Sequence, residues 1–562
     1  MNKSCAFFIV CLFIFSYAEA QKPYYANVLD YGYNEADATG CIQKAIDSQA
    51  RKVIVPYIGK PYIVKPLFTT ADDQEIYFEP GVVLEAMRGE FHDRGDVLFT
   101  ISGVKNVTLT GYGATFTMHK KDYQDSTLYR HSEHRHALLI KSSAGKPTEN
   151  ITVRGLHVES SGGDGLYVGG SADPETKIPY QPVNVLIQDV VSADNHRQGF
   201  SITGAEGLKV LDGVFINTKG TNPQAGVDWE PNANKMTNLE MHNCLIRNNH
   251  FGGIGIWLMY PPEVGPKGIQ LTFNNVHVDS DPGVQRYSVS TAYITDRDGY
   301  TGTIVYNDCS FRNNNSYHTY NDPDWHTHVA YINMKSALRA RVSFNRCLFE
   351  QTNKDGKVIT FTIDLQEVKD NMTFGGVDFN NCIVNDRYDR PFITFKDWDN
   401  TGKGVTDIHG DIAVHNPFGA DMYLGEKTEN IGLNVKSVRT LPPEVNILEP
   451  ELLQIFKTGD KYKFSANASD PDVGTRNGEG IKQVNFSITK GEKIVAYQED
   501  LTAPYEMSGK MKGWEPGIYL LKAEAISSEF GSMNIAVTAF EIKPPLKITK
   551  DTKKRLRSIS AP

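Results

Sequence analysis

A six-residue pattern occurs eight times between Val153 and Val384, at spacings of 24 to 38 residues. Each copy has apolar residues at its first and fourth positions, and Asn, Asp, Gly or Arg at its third. A turn residue followed by a short alternating segment is typical of a bend that leads into a β-strand. The fourth positions are Leu156, Val190, Val214, Cys244, Val276, Cys309, Cys347 and Cys382. A repeat of this period indicates stacked units, each too small to bury its own apolar face.

The composition of the copies favours strands over helices. The segments are short, rich in Val, Ile and Phe, and interrupted by Asn and Gly, whereas helical repeats would show apolar residues at three- and four-residue spacing over ten or more positions. We therefore predict an all-β fold, a right-handed single-stranded parallel β-helix with coils about 4.8 Å apart. Residues at equal repeat positions then form columns, and the cysteines at position four form an inward column of free thiols.

The two ends of the chain differ from this repeat. Residues 1–20 predict a signal peptide, because Lys3 precedes an apolar run and Ala18-Glu19-Ala20 is a small-x-small cleavage site. No later run is long and apolar enough to span a bilayer. We expect an exported, periplasmic or extracellular protein without membrane insertion. The basic residues 546–562 are expected to form a flexible, solvated tail.

Four domains follow from these changes in composition. The signal peptide is followed by a parallel β-helix over residues 21–440, with an N-terminal capping helix. From Leu441 about seven short alternating strands, separated by turn residues, predict a β-sandwich over residues 441–545. This segment resembles the immunoglobulin-like modules found beside secreted glycan-degrading enzymes. The resemblance lies in Ala466–Asp472, Ile481–Ile488, Ala503–Glu506 and Trp514–Ala525, and it implies a spacer or docking role.

The β-helix region also resembles known proteins. Val28–Asp47 is similar to the entry of pectate-lyase-like β-helix proteins, in which a short helix caps the open end of the coil. Asn195–Ile202 and Ala225–Asn232 resemble two recurrent motifs of bacterial right-handed β-helix proteins of the pectin-lyase-like superfamily. That resemblance implies a carbohydrate-active protein. The sequence lacks the Gly-His-Gly and Arg-x-Lys pattern of polygalacturonases, and it has no clear match to the calcium and arginine motifs of pectate lyases.

The number of cysteines and the net charge limit the kinds of ligand and partner that we expect. Five of the seven cysteines follow the leader, and none has metal-ligand spacing, which indicates buried core residues rather than disulfides. The net charge of −9 and the absence of a broad basic face argue against nucleic acid. We expect a monomer acting on a polysaccharide or oligosaccharide. No cofactor is required by the sequence, and a bound Ca²⁺ stays open.

Aligned glycines predict the position of a site. Gly165, Gly199, Gly226 and Gly253 fall at equivalent places in four coils. Alternation then places two sets of residues inside and two outside. The inward sets are Leu166, Phe200, Val227 and Ile254, and Val168, Ile202, Trp229 and Ile256. The outward, solvent-facing sets are Tyr167, Ser201, Asp228 and Gly255, and Gly169, Thr203, Glu230 and Trp257.

Asp228 and Glu230 therefore project from one strand, about 7 Å apart. The candidate catalytic residues are Asp228, Glu230, His196, Arg197 and His250. The candidate substrate-binding residues are Asp164, Gln198, Tyr167, Trp257 and Tyr260. The histidine-rich stretch 130–136 is open as a substrate-binding lip, a metal site or a polar loop, and Asp324, His326 and His328 have the same ambiguity.

Three functions remain open at this point. In the first, which the sequence favours narrowly, Arg197 stabilises the carboxylate of an acidic sugar while His196 or His250 removes a proton, which gives β-elimination. In the second, Asp228 and Glu230 hydrolyse a glycosidic bond, with a separation that suits inversion. In the third, the groove binds glycan without catalysis.

Overall fold

In a computed structural model the chain folds as a parallel β-helix followed by a small β-sandwich, the architecture predicted from the repeat. The structure describes residues 24–232, 234–250, 252–258, 263–264, 268–280, 290–296, 300–313, 328–334, 340–363, 374–398, 400–529 and 531–559. The predicted signal peptide, Tyr260, Asp324 and His326 lie outside these residues. Among the described residues, no helix has the length and apolar character needed to span a membrane.

In the described part of the chain, thirty-three strands precede the β-sandwich. In chain order they are β1 (Tyr25–Asn27), β2 (Lys52–Val55), β3 (Tyr62–Val64), β4 (Leu67–Phe68), β5 (Glu75–Phe78), β6 (Val83–Ala86), β7 (Phe99–Ser102), β8 (Lys105–Thr117), β9 (Leu138–Lys141), β10 (Glu149–Glu159), β11 (Leu166–Gly169), β12 (Ser171–Ala172), β13 (Pro179–Tyr180), β14 (Val183–Gln188), β15 (Val191–Ala193), β16 (Phe200–Ile202), β17 (Ala205–Leu211), β18 (Val214–Ile216), β19 (Ala225–Trp229), β20 (Met236–Arg247), β21 (Gly252–Leu258), β22 (Gly268–Asp279), β23 (Ser290–Asp296), β24 (Thr301–Asn307), β25 (Ser310–Asn313), β26 (His328–Met334), β27 (Ala340–Asn345), β28 (Leu348–Gln351), β29 (Lys357–Ile363), β30 (Phe374–Asp386), β31 (Ile393–Asp397), β32 (Val405–His415) and β33 (Glu429–Val438).

Thirty-one of these strands form two long parallel sheets, and β12 and β13 form a separate antiparallel pair. The first sheet contains twenty strands and carries the six-residue repeat. The second sheet contains eleven, in the order β4, β7, β9, β11, β16, β19, β21, β23, β26, β29 and β31. One continuous apolar core fills the space between the sheets. Between β4 and β31, successive coils therefore each contribute one strand to the second sheet, where the candidate site lies.

The third position of the repeat bends the first sheet. Its residues all have positive φ, between 52° and 73°, in the left-handed region. They are Gly155, Asp189, Asp212, Asn243, Asn275, Asp308, Arg346 and Asn381. Asn, Asp and Gly tolerate this conformation better than other residues do. The predicted turn residue is thus confirmed as the corner in seven copies, and in the copy at residues 211–216 the corner is Asp212 rather than Gly213.

One copy of the repeat was aligned wrongly by one residue. Val191 pairs with Val214 and Val214 with Leu245, so Gly213, and not Val214, occupies the fourth position of its coil. A one-residue slip moves a side chain to the opposite face of a sheet. Val214 therefore points away from the core and packs against the C-terminal domain. The predicted cysteine column is confirmed: Cys244, Cys309, Cys347 and Cys382 are buried and free.

Among the described residues, three α-helices accompany the strands: α1 (Thr39–Asp47), α2 (Lys120–Tyr123) and α3 (Lys550–Ile559). Helix α1 is the predicted N-terminal cap and buries Ile42 and Ile46. Helix α3 corrects the prediction of a flexible tail, because it lies against the same end of the stack. Arg555 forms an ion pair with Asp30, and Leu556 packs against the core. The basic residues had suggested a solvated tail, but the same segment contains Leu556, the apolar residue that anchors the helix.

The C-terminal domain consists of two antiparallel sheets. Its strands are β34 (Glu444–Glu449), β35 (Gln454–Phe456), β36 (Lys461–Ser469), β37 (Ile481–Lys490), β38 (Lys493–Asp500), β39 (Tyr505–Lys510), β40 (Gly517–Ser527) and β41 (Met533–Ile542). The three-stranded sheet is β34-β36-β39, and the five-stranded sheet is β35-β41-β40-β37-β38, in which β35 and β41 run parallel. The two sheets enclose their own apolar core.

The domain packs against the outer face of the first sheet. A second apolar cluster joins Val191, Val214 and Leu245 of the β-helix to Leu520 and Val537 of the β-sandwich. Burial of apolar side chains from both domains removes them from water together. The β-sandwich is thus held to the β-helix by a packed interface.

Ionic contacts accompany this interface. The Lys490 ammonium contacts the Asp189 carboxylate, lies 3.0 Å from Asp212 Oδ2 and donates to the Ile518 carbonyl at 3.1 Å. The backbone N–H of Ile518 also donates to Asp189, at 2.8 Å. Asp189 and Asp212 are corner residues of the repeat, so the bend of two coils supplies the anionic half of the interface.

Candidate functional site

The predicted register of the second sheet is confirmed. Tyr167 pairs with Ser201, Ser201 with Asp228, and Asp228 with Gly255. These residues form one outward column across β11, β16, β19 and β21. Glu230 directly follows β19, and its N–H donates to the Ile202 carbonyl at 2.9 Å, so it continues the same alternation. Both carboxyl groups therefore belong to the outer face of the second sheet.

The solvent exposure of Asp228 was predicted wrongly. Its side chain is outward, but the residue is only 1% exposed, whereas the Glu230 side chain is 20% exposed. A Cβ atom on Gly255 would lie 3.2 Å from Asp228 Oδ1 and 2.9 Å from Trp257 Nε1. The carboxyl group and the indole thus occupy the space that the missing side chain leaves. Side chains of the neighbouring coils cover Asp228, and strand alternation alone does not predict that.

The two oxygens of Asp228 have different surroundings. Oδ2 accepts a hydrogen bond from Gln198 Nε2 at 2.9 Å, and Gln198 Oε1 accepts one from the Ala225 N–H at 2.6 Å. Oδ1 has no hydrogen-bond partner among the described residues. Burial, reinforced by the charge of Glu230, raises the pKa of Asp228 to about 8, although Arg197 opposes the shift. Asp228 is therefore a protonated carboxylic acid at neutral pH, held in one orientation by Gln198.

Arg197 lies at the centre of a group of acids. Its Nη1 is 3.5 Å from Asp164 Oδ2, its Nε is 3.3 Å from Glu133 Oε2, and its Nη2 is 4.0 Å from Glu230 Oε2. Burial alone would lower the pKa of Arg197, but these carboxylates outweigh it and hold that pKa above its ordinary value. Four acids, including Asp228, thus surround one guanidinium group, and the positive charge is locally matched or exceeded.

Burial raises the pKa values of two acids that contact Arg197. Asp164 is fully buried, and burial raises its pKa to about 6 against the opposing effect of Arg197. Burial also raises the pKa of Glu230, again opposed by Arg197 and increased by Glu133. Environments that separate the pKa values of neighbouring carboxyl groups are typical of acid and base pairs. Glu230, more exposed than Asp228 and next to the guanidinium, is the group that ionises first of the two on this strand.

His136 was predicted only as a member of the histidine-rich stretch 130–136, and not among the individual site residues. Its Nδ1 accepts a hydrogen bond from the Asp164 N–H at 3.0 Å, and its ring stacks on Tyr167 with centroids 4.9 Å apart. Burial lowers the pKa of His136 well below its usual range, so the ring is neutral. The Tyr167 hydroxyl lies 2.7 Å from Thr203 Oγ1. His136 stands two residues before β9, as Asp164 and Gln198 stand two residues before their strands, so extending the glycine alignment by one coil would have found it.

The histidine-rich stretch contributes to the edge of this site. Glu133 reaches Arg197, and the fully buried Arg135 donates to the Phe91 and His92 carbonyls at 2.8 and 3.1 Å. Arg135 also lies over the ring of Tyr129, 5.5 Å from its centroid. Of the three alternatives for this stretch, the structure favours a lip beside the groove. No cluster of three or more His, Cys, Asp or Glu residues with metal-binding geometry occurs in the described part of the chain.

The two candidate histidines have different surroundings from the acids. His196 Nδ1 accepts a hydrogen bond from Gln124 at 3.0 Å, and its ring makes an edge contact with His131. Burial, with the charges of His131 and Lys120, lowers the pKa of His196 to about 4. His250 is also buried, and its backbone N–H donates to the Thr218 carbonyl. The acids are thus contacted by Arg197, Gln198 and His136, whereas His196 is contacted by Gln124 and His131.

Replacing Asp228 by Asn should make the protein more stable at neutral pH. Asp228 has a folded pKa of about 8, well above the usual value for an unfolded aspartate, about 4. Folding therefore takes up a proton between these pH values, and the native protein loses stability as pH rises through that window. Asn carries no such cost. Chemical denaturation should show equal stability of the two proteins near pH 4 and a gap in favour of Asp228→Asn that widens up to pH 8. A constant gap would contradict this account.

Comparisons with known proteins add the following. No family model matches the sequence, and the search of curated proteins found no match. Among solved structures, the chain is similar to the mannuronan C-5 epimerase AlgE4 A-module of Azotobacter vinelandii (13% identity, 73% of this chain, 97% of that chain, TM-score 0.41). It is also similar to tailspike protein gp49 of Acinetobacter baumannii bacteriophage Fri1, a capsular polysaccharide depolymerase (11% identity, 92% of this chain, 79% of that chain, TM-score 0.35). A third similar structure is that of PfbA, a surface adhesin of Streptococcus pneumoniae (12% identity, 73% of this chain, 90% of that chain, TM-score 0.32).

Proposed function

We propose that this protein hydrolyses glycosidic bonds of a polysaccharide or oligosaccharide in the groove along the second sheet. The observation that carries the proposal is a pair of carboxyl groups with different surroundings at one strand. Asp228 is buried and hydrogen-bonded to Gln198, and Glu230 is partly exposed beside Arg197. Glycoside hydrolysis requires one carboxylic acid and one carboxylate on opposite sides of the scissile bond. An outward strand that presents both groups meets that requirement with two residues.

Asp228 is assigned as the general acid. Its proton would pass from Oδ1, the oxygen without a hydrogen-bond partner, to the glycosidic oxygen as the bond to the leaving sugar breaks. The Gln198 amide donates to Oδ2 and leaves Oδ1 facing the space beside Gly255 that the Trp257 indole also fills. Because Trp257 borders the same space, substrate has to displace or stack on the indole to reach the acid.

Glu230 is assigned as the general base. The positive charge of Arg197 favours its ionised form, and its partial exposure admits water. Two residues along a strand separate the carboxyl groups by about 7 Å, which leaves room for a water molecule and suits inversion better than the shorter separation of retaining enzymes. The base would remove a proton from water as the oxygen attacks the anomeric carbon.

The charge balance favours hydrolysis over the elimination that the sequence ranked first. Elimination requires a cation to stabilise the growing negative charge on the substrate carboxylate. Arg197 is already surrounded by Asp164, Glu133 and Glu230, and a substrate carboxylate placed here would meet these acids. The structure also places His196, one of the two proposed bases, against Gln124 and His131. A neutral sugar at the cleavage position fits this environment better than an acidic one.

The test is a substrate screen with two detectors. The purified protein is incubated with pectin, alginate, ulvan, gellan and sulfated galactans, and reducing ends and the ultraviolet absorbance of unsaturated sugars are followed in parallel. The proposal expects reducing ends without the absorbance, and nuclear magnetic resonance of the first product should show an inverted anomer. Absorbance that rises with the reducing ends would establish elimination instead. Binding without either signal would establish a glycan-binding protein.

A further inference from the structure

A second recess opens on the same sheet, away from the acids. It is a pocket of about 400 Å³ at the outer face of β26, β29 and β31. Its described lining includes the aromatic residues Tyr331, Trp398 and Tyr423 and the basic residues His328, Lys357 and Lys396. None of the residues that line it in the described part of the chain is an acid. The described lining is therefore basic and aromatic, whereas acids predominate around Asp228.

The pocket is in register with the candidate acid. The column that contains Asp228 continues through Gly255 and Tyr293 to Tyr331, Thr360 and Thr394. Three coil spacings separate Asp228 from Tyr331, about 14 Å, and five separate it from Thr394, about 24 Å. A glycan that lies across the strands at Asp228 and follows the axis of the β-helix would thus pass over the pocket, several sugars from the cleaved bond.

The side chains of the pocket suit a charged sugar ring. Lys396 Nζ lies 4.5 Å from the centroid of the Trp398 ring, so an ammonium group and a flat apolar face are presented together. The backbone of Lys357 pairs with that of His328 on the adjacent strand, and His328 Nδ1 lies 2.7 Å from Thr360 Oγ1. Aromatic faces pack on the apolar side of sugars, and ammonium groups attract carboxylates or sulfates.

We propose that this pocket binds an acidic sugar of the same chain that is cleaved at Asp228. The inference rests on the proposed function, and it specifies the substrate class. The cleavage position excludes negative charge through its acids, whereas the pocket attracts it. The substrate is therefore a polysaccharide of mixed composition, in which a neutral sugar at the scissile bond is followed, several units away, by a uronate or a sulfated sugar.

Binding to a cleavage-deficient protein tests this proposal. The full-length Asp228→Asn variant is titrated calorimetrically with gellan, which combines neutral sugars with glucuronate, with polygalacturonate, and with neutral dextran. Adding Lys357→Gln and Lys396→Gln should weaken binding to gellan about tenfold or more, which corresponds to about 1.4 kcal/mol. Trp398→Ala should weaken it as well. Dextran should bind weakly to all the variants, and polygalacturonate more weakly than gellan.

The matched control removes the same charge elsewhere. Lys482 and Lys493 are exposed on the β-sandwich, and their replacement by Gln should leave gellan affinity within about twofold if binding is local rather than a general charge effect. The proposal is overturned if the pocket variants retain full affinity, if the control variants lose as much, or if neither anionic chain binds. Because no cleavage is measured, failure of hydrolysis in the substrate screen would leave this result interpretable by itself.

Discussion

Asp228→Asn is expected to lower kcat by about 10²- to 10⁴-fold while the protein remains folded. The amide retains the shape of the side chain and its place beside Gln198, but it cannot transfer a proton to the glycosidic oxygen, and general acid catalysis usually contributes a factor of this size. Once a substrate is identified by the screen, initial rates at saturating substrate and a circular dichroism spectrum of each protein measure both parts of the prediction.

A matched variant separates loss of chemistry from loss of charge. Asp411 is exposed on β32 of the first sheet, and Asp411→Asn should retain full activity. In the unmodified enzyme, kcat/KM should fall as pH rises through about 8, where Asp228 loses its proton. Activity of Asp228→Asn within about tenfold of the unmodified enzyme would remove this residue from the catalytic role.

Lys490→Ala should destabilise the protein by about 3–5 kcal/mol, because it leaves two buried acids without their cation. Asp189 and Asp212 are almost completely inaccessible to solvent, and the Lys490 ammonium contacts both. Even with Lys490 present, burial raises the pKa of Asp189 to about 6, a shift that Lys490 opposes. Urea denaturation of the two proteins under identical conditions measures the difference.

Two further variants test the cause of that loss. Lys493 lies at the start of β38 and is exposed, so Lys493→Ala should change stability by less than about 0.5 kcal/mol. Combining Lys490→Met with Asp189→Asn and Asp212→Asn removes all three charges and should recover most of the stability lost by Lys490→Ala. If Lys490→Ala costs no more than the Lys493 control, the β-sandwich is not held to the β-helix by these contacts.

Most of the fold could be predicted because the repeat encodes it residue by residue. An Asn, Asp or Gly at the third position adopts the left-handed conformation at each corner, and the apolar residues after it set the register. The repeat position of Val214 was predicted wrongly because apolar residues stand on both sides of Asp212-Gly213. The apolar pattern alone therefore permits two alignments of this copy. The side chain of Val214 is apolar because it faces another domain, which a single repeat does not reveal.

The strand register of the site could be predicted from the sequence, but the burial and the charge balance of its side chains could not. Strand alternation placed Asp228 beside Ser201 and Gly255 correctly. It did not predict that Asp228 is buried, because burial depends on side chains that neighbouring coils supply, among them Trp257 and Gln198. The sequence therefore favoured an anion-binding face centred on Arg197, whereas the contacts show that its charge is matched by three carboxylates.

Infrared difference spectroscopy between pH 7 and pH 9 tests the protonated state of Asp228 without requiring a substrate. Our account predicts the carbonyl band of a protonated carboxylic acid at pH 7, its loss with a midpoint near pH 8, and its absence from Asp228→Asn. Asp164 and Asp189, with pKa values of about 6, should contribute little in this range. A spectrum without that band, or one in which the band persists in Asp228→Asn, would contradict the assignment of Asp228 as the acid.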